Sequence, residues 1–435
     1  MFKKFLCCAL SAIMLVSVLS VGAYAYQGTD YTIVNPYETV DWDTWTTYKA
    51  NLHTHSTASD GRVDLPEMIG LYYDLGYDVL ALTDHGVINH GWNKERKVYP
   101  PFNLFQKLTN MSDEDYERIT TGSDRGGRGM TDVTGGIEIN MAVLSKTHVN
   151  GYFTEYGSGV WGTENDYESA PAAIEEAGGY SVLNHVGDWV DSNHYPERSH
   201  HEVFISYFAN IFNKYHSCLG MEIINNTDNV TRADRALWDE LLKVIIPTGR
   251  NIWAFADDDS EYVSDVGRSF EMMVMPENNL ENVKTAMENG TFFACSKYAR
   301  TEIGNDFIGT GEVPLVKKIK VDQRQNTIEL ELDESRDCSA VEWIYDNKVI
   351  AVGNKIDLND YEDEIGCYIR FQLKGEGGIT YSQAFELKYD GRTDHEIPEV
   401  PFFDTRLGRL VRVASKTRIV SIIAFVTEKI MELFR

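Results

Sequence analysis

The stretch NLHTHSTASDG, residues 51–61, sets two imidazoles, His53 and His55, and one carboxylate, Asp60, within eight residues. Residues two apart on a strand share a face, so His53 and His55 point the same way. Asp60 follows on a loop that can fold back toward them. Other segments end in the same residue types. VLALTDH supplies Asp84 and His85, GGIEIN supplies Glu138, and YSVLNH supplies His185. His148 opens HVNGYF, and FADDDS closes a strand-like run with Asp257, Asp258 and Asp259. Several imidazoles with several carboxylates suit divalent transition ions such as Zn, Mn or Fe. The donors are too many for one ion, so two or three per chain, sharing bridging carboxylates, are expected. Such ions polarise phosphoryl oxygens and make hydroxide near neutral pH. A single histidine is more often a satisfied core residue, but the whole set at strand ends argues against that reading. Asp84 fits better as a residue orienting a ligand histidine than as a ligand. Glu222 and Asn225, in GMEIINN, are read as supporting or structural residues.

These donors need a scaffold that brings distant strand ends together. From Tyr48 to Ala294, strand-like and helix-like segments alternate: YKANLHTH, LPEMIGLYYDLGY, DVLALTDH, APAAIEEAGG, YSVLNH, RADRALWDELLKVI, NIWAFADD. Repeated strand–helix units predict a parallel sheet, open or closed into a barrel. In a β/α barrel the C-terminal strand ends converge on one face, where sites are built. Segments 95–134 and 188–215 read as less regular insertions over one rim. GSDRGGRGM reads as a flexible loop and lacks the Lys-Ser/Thr ending of a phosphate loop. Beyond Thr301 the period changes to two around Asp, Asn and Gly turns, predicting a small antiparallel β-sandwich over 301–392.

The chain has 435 residues and a formal net charge of -27, which argues against a nucleic-acid surface. Residues 1–25 read as a secretory signal: Lys3 and Lys4, an apolar segment, then AYA as a small-x-small cleavage site. The protein is therefore expected outside the cytoplasm, secreted or held at the cell surface. Four cysteines remain after that segment. Cys338 and Cys367 could pair, and isolated buried thiols fit equally well. The last segment, 393–435, reads as a linker and a basic amphipathic helix carrying Arg406, Arg409, Arg412, Lys416 and Arg418. Such a helix could dock on the body or lie on a membrane surface; its apolar run is too short to span a bilayer.

NLHTHSTASDG, LALTDHG, GGIEI and LNHVG, in this order over about residues 48–298, resemble the PHP (polymerase and histidinol phosphatase) superfamily. The resemblance implies a distorted (β/α)7 barrel, here over 26–300, holding up to three metal ions. It implies hydrolysis of phosphate mono- or diesters, with a small phosphorylated substrate. It assigns His53, His55, Asp60, His85, Glu138, His148 and His185 as metal ligands. The family's late motif is Asp-x-His, and here the sequence departs: ADDDSE offers Asp257 and Asp258 as carboxylate ligands with no histidine after them. If Asp258 matches the family aspartate, Ser260 takes the histidine's place; if Asp257 does, Asp259 takes it and could still bind metal. Asp257 or Asp258 could also assist proton transfer. GRSFEMMVM resembles the following strand in exported members, and Arg268 could then contact a substrate phosphate. An Arg–Glu surface pair is the competing reading. Hydrolysis of a non-phosphate bond, or a degenerate barrel that only binds, remain as alternatives.

Overall fold

The computed structural model describes residues 29–100, 104, 108–140, 146–161, 166–402 and 408. The expected signal segment 1–25 and the C-terminal helix lie outside the described residues. The chain divides into Met1–Asp30 and Tyr31–Arg435, and the elements below belong to the second part. The first eleven strands are β1 (Thr32–Val34), β2 (Thr46–Asn51), β3 (Val79–Leu80), β4 (Thr131–Asp132), β5 (Ile137–Ile139), β6 (Val149–Tyr152), β7 (Tyr180–Leu183), β8 (Cys218–Asn225), β9 (Trp253–Asp257), β10 (Ser269–Met275) and β11 (Phe292–Ser296). Eight more follow: β12 (Val316–Asp322), β13 (Thr327–Leu332), β14 (Ala340–Tyr345), β15 (Lys348–Val352), β16 (Lys355–Asp357), β17 (Tyr368–Gly375), β18 (Gly378–Tyr381) and β19 (Phe385–Lys388).

The fold is mixed α/β with three sheets. A five-stranded sheet runs β5-β6-β7-β8-β9, parallel only across β7-β8-β9. An eleven-stranded sheet runs β1-β19-β17-β18-β11-β10-β2-β3-β4, with β14 and β15 joined at β17. Strands β12, β13 and β16 form the third. The late strands expected to stand apart are present, but β18 pairs antiparallel with β11, so five of them share a sheet with β2 and β10. The barrel expectation meets an intermediate picture. No continuous closed barrel is hydrogen-bonded among the described residues. The two large sheets instead touch edge to edge at isolated bridges, Thr54 with Ser260 at one edge and His85 with Glu138 and Asn89 with Gly136 at the other. Apolar side chains from both sheets fill the space between, including Leu52, Val133, Tyr152, Val182, Phe255 and Met273.

The helices follow from local sequence. The helix Leu65–Asp74 starts where Asp64 accepts the Glu67 N–H at 3.3 Å, with a proline in its first turn. It buries Leu65, Met68, Ile69, Tyr72 and Tyr73, which lie at helical spacing. The helix Asp234–Ile245 packs against β8. The two stretches read as irregular insertions carry helices of their own. Asp113–Thr121 is capped by Ser112, and Glu202–Lys214 buries Phe204, Phe208 and Phe212. The expected flexible loop is pinned: Arg128 makes a bidentate pair with the buried Asp78, at 2.6 Å for both contacts. All four described cysteines are free thiols, so Cys338 and Cys367 do not pair. No described helix is long and apolar enough to cross a membrane.

Candidate metal centre

The ends of β2, β3, β5, β7 and β9 face one cavity of about 650 Å³. Its deepest group joins four side chains. His53 Nε2 lies 3.1 Å from His55 Nε2, 3.2 Å from Glu138 Oε2 and 3.2 Å from Asp259 Oδ1. His55 Nε2 lies 3.1 Å from each of the same two carboxylate oxygens. Four donor atoms of this kind, with two imidazole nitrogens facing each other, form a site that a divalent cation would fill. Two neighbouring groups share members with it: His55, Asp60 and His85, and then His85, Glu138 and His148. His148 Nδ1 is 3.2 Å and His185 Nε2 3.6 Å from Glu138 Oε1. Glu138 thus touches histidines of every group, as a bridging carboxylate would.

The surrounding shell fixes these donors. Glu222 Oε1 accepts from His53 Nδ1 at 2.6 Å, which leaves the Nε2 lone pair facing the cluster. Glu222 Oε2 accepts the His185 N–H at 2.8 Å. Asn184 donates to Glu138 Oε1 at 2.7 Å. Asp84 accepts from the Ser56 N–H at 2.7 Å and from Ser59 Oγ at 2.8 Å, shaping the loop behind His55. His185 and Asp259 hold left-handed backbone, with φ of +27° and +46°. Non-glycine residues adopt this only at a cost of about 1–3 kcal/mol each, so the turns that aim these side chains are over-determined by their surroundings.

The donors also act on one another electrostatically. Burial disfavours a charged His53, yet Asp259, Glu138 and Glu222 outweigh it and hold that imidazole well above its ordinary range. His55 is raised likewise, against burial, by Asp259 and Asp60. His185 is pushed up to about 9; burial opposes this, and Glu138 and Asp259 drive it. Glu138 is held well below the carboxylate range by His53, His85 and His148, although burial works the other way. Asp259 is lowered by His53 and His55, again against burial. His85 is raised in the same way, whereas His148 is lowered, because burial there outweighs its partner Glu138.

The structure brings together His53, His55, Asp60, His85, Glu138, His148 and His185. It corrects the placement of Asp257 and Asp258. Asp257 Oδ1 accepts the Leu52 N–H at 2.6 Å, bracing β2 just before His53. Asp258 accepts three successive N–H groups, from Gly267, Arg268 and Ser269, at 2.7–2.8 Å, and the Tyr72 hydroxyl at 2.9 Å. Neither carboxylate joins the donor groups or lines the cavity; the third aspartate, Asp259, does both. Asp258 therefore positions Arg268 rather than a metal. Arg268 lines the cavity, pairs with Asp265 at 2.9 Å and donates to Asn226 Oδ1. With Asp259 in the cluster, the residue two further on is Glu261, which lines the same cavity. Sequence reading missed Glu261, because alignment on Asp257 or Asp258 pointed elsewhere. His194, His200 and His201 do not reach the cavity: the first two pair with Asp191 and Glu240, and His201 caps the helix Glu202–Lys214.

No family model and no curated protein matches the chain. Among solved structures, it is similar to a two-domain protein from Bacteroides vulgatus described as containing a predicted PHP-like metal-dependent phosphoesterase. That match has 14% identity, covers 88% of this chain and 97% of the other, and has a TM-score of 0.42. A putative metal-dependent phosphoesterase from Bifidobacterium adolescentis matches at 13% identity, over 49% of this chain and 87% of its own, with a TM-score of 0.28. An amidohydrolase from Chromobacterium violaceum matches at 15% identity, over 49% and 87%, with a TM-score of 0.29.

Proposed function

We propose that this chain is a metal-dependent hydrolase of the PHP type that cleaves phosphate esters outside the cytoplasm. One observation carries the reading: His53, His55, Glu138 and Asp259 converge four donor atoms at 3.1–3.2 Å, beside a cavity open to solvent that Asp60, His85, His148 and His185 also line. Two or three Zn, Mn or Fe ions would be held there. Bound ions of this class polarise a phosphoryl oxygen and lower the pKa of water toward neutrality. The chain's own residues hold and orient. Glu222 fixes the tautomer of His53, Glu138 keeps neighbouring sites in register, and Asp258 aims Arg268 into the cavity. Arg268, steadied by Asp265 and Asn226, would take a phosphate oxygen through its planar fork.

In this reading the isolated bridges mark the two seams of a distorted (β/α)7 barrel made of β2, β3 and β5–β9, with the strands after residue 301 as an appended β-sandwich module. Among the lining residues Arg268 is the one arginine or lysine, set against Asp188, Glu261 and Asp265. The same acidic rim favours, as a second reading, hydrolysis of a non-phosphate bond such as an amide or lactone. The signal segment would direct export, and the basic C-terminal helix would give contact with a membrane or cell envelope.

The test is His55→Ala, assayed with bis-aryl and mono-aryl phosphates after loading with Zn or Mn, beside elemental analysis. Wild type should hold two or three ions and turn over; the variant should lose metal and turn over at background rate. Unchanged hydrolysis in the variant would sink the reading.

A further inference from the structure

We infer that the chain carries a second ligand site, a cleft between the turn at residues 41–45 and the sheet β12-β13-β16 that binds a neutral oligosaccharide. The site goes beyond the hydrolase reading and does not depend on it.

The cleft encloses about 1020 Å³ and shares no lining residue with the metal-centre cavity. Thr47 lines it at the start of β2, whereas the metal donors begin past that strand's end. One wall is a single helical turn. The Trp45 N–H donates to the Asp41 carbonyl at 2.8 Å, and the Asp41 carboxylate accepts the Asp43 N–H at 3.1 Å and the Thr44 hydroxyl at 2.7 Å. Residues three apart on such a turn are neighbours, and Trp42 and Trp45 line the cleft together. Met272 and Val274 of β10, with Leu330 and Leu332 of β13, complete the apolar lining. Lys318 reaches from β12 to Asp43 at 2.9 Å, which ties the turn to the sheet.

Three properties select the ligand. Both indoles are half-buried, and neither Nε1–H has a partner among the described residues or is shut off from solvent. Each therefore offers a flat apolar face with one donor at its edge. Second, Glu329, Glu331, Asp333 and Glu334 line the cleft. Lys320 holds Glu331 and Arg336 holds Asp333, but the carboxylates of Glu329 and Glu334 form no ion pair or hydrogen bond among the described residues. A carboxylate is an acceptor with two oxygens, which suits adjacent hydroxyls. Third, the arginines of the cleft are spent, Arg128 on Asp78 and Arg336 on Asp333 and Glu312. A phosphorylated or carboxylated ligand would meet net repulsion. A peptide strand would need an open sheet edge, and the β12 edge carries Lys317, Lys318 and Lys320, which discourage strand pairing. A sugar fits what is left: C–H faces for the indoles and hydroxyls that donate to the carboxylates. The volume lies at the top of the range of about 300–1,000 Å³ usual for small-ligand pockets, so it admits more than one ring.

The test is calorimetric titration of the full chain with cello-, xylo-, manno-, malto- and N-acetylchitotetraose in turn, with thermal unfolding as the folding control for each variant. At least one sugar should bind, at one site per chain. Trp45→Ala should weaken it by about tenfold or more, as truncating an aromatic anchor does, and Trp45→Phe should recover part of the loss. Glu329→Gln keeps the strand and removes an acceptor, so it should weaken binding less. Metal bound per chain should match wild type in all three variants. No binding of any of these sugars at millimolar concentration, or binding unmoved in both Trp45→Ala and Glu329→Gln, would overturn the inference. Tighter binding of an oligolysine peptide at this cleft would also overturn it, and would assign the carboxylates to a cationic partner.

Discussion

Two buried charge clusters in this molecule solve the same problem differently. In the first, Arg235 pairs with Asp228 at 2.6 Å and with Glu302 at 2.9 Å, and Arg370 holds Asp239 in a fork at 2.7 and 2.8 Å. These arginines tie the helix Asp234–Ile245 to residue 302 and to β17. Every carboxylate there faces a guanidinium that never gives up its charge. At the metal centre, the partners of Glu138 and Asp259 among the described residues are imidazoles and the carboxamides of Asn184 and Asn225. An imidazole, unlike a guanidinium, can give up its proton to a competing cation. One cluster is therefore locked, and the other can exchange protons for cations. Arginine at a buried carboxylate marks architecture here, and histidine marks a place reserved for a ligand.

The comparison breaks most visibly through stability. Arg370→Met should leave the buried Asp239 charge with no cation and a hydrogen bond from the Asn347 N–H at 3.1 Å, costing about 3–5 kcal/mol of unfolding free energy. Metal bound per folded chain should not change. Denaturant unfolding with elemental analysis on the surviving native fraction checks both. If Arg370→Met also stripped the metal, the clusters would not be independent.

A smaller effect separates neighbours within the metal centre. Asp259→Asn removes an inner carboxylate and should cost at least about 100-fold in metal affinity, whereas Glu222→Gln, which acts through His53, should cost about 10–100-fold. Asp257→Asn should change affinity least, since Asp257 braces the Leu52 N–H and belongs to none of the donor groups. Competition titrations against a chromophoric chelator would rank the three. If Asp257→Asn proved the worst, the assignment of the third aspartate would fail.

That ranking touches what the sequence could reveal. His53 and His55 were legible because period-two geometry puts them on one face, and Glu138, His85 and His185 because each closes a strand-like run. The choice among Asp257, Asp258 and Asp259 was not. Three consecutive identical residues carry no internal pattern, and the answer depends on a left-handed turn at φ +46°. Glu261 stayed hidden for the same reason. The helix Glu202–Lys214 has clear i, i+4 aromatic spacing, but the histidine- and turn-rich approach to it read as loop. The late strands were recognisable one by one. Their attachment through β11 and β18 was not, because strand pairing 85 residues apart leaves no local trace.

The gentlest way to sharpen the comparison is pH. His185, raised to about 9 by Glu138 and Asp259 against the cost of burial, binds its proton more tightly folded than unfolded. Its contribution to stability is fully present below about 6.5, the unfolded value, and is lost as pH rises through about 9. The metal-free protein should therefore lose stability on that climb. The loaded protein, whose ligand imidazoles carry no exchangeable charge, should not, so the gain in Tm on adding Zn²⁺ or Mn²⁺ should grow from pH 6.5 to 9. Loading at pH 7 should also release protons, visible as a binding enthalpy that depends on the buffer. The Arg370–Asp239 pair offers the control: guanidinium does not titrate in this window, so the Arg370→Met penalty should stay level over the same range. A buffer-independent enthalpy at pH 7 would mean that the imidazoles are already neutral, and that the carboxylates of the metal centre are balanced by something other than their protons.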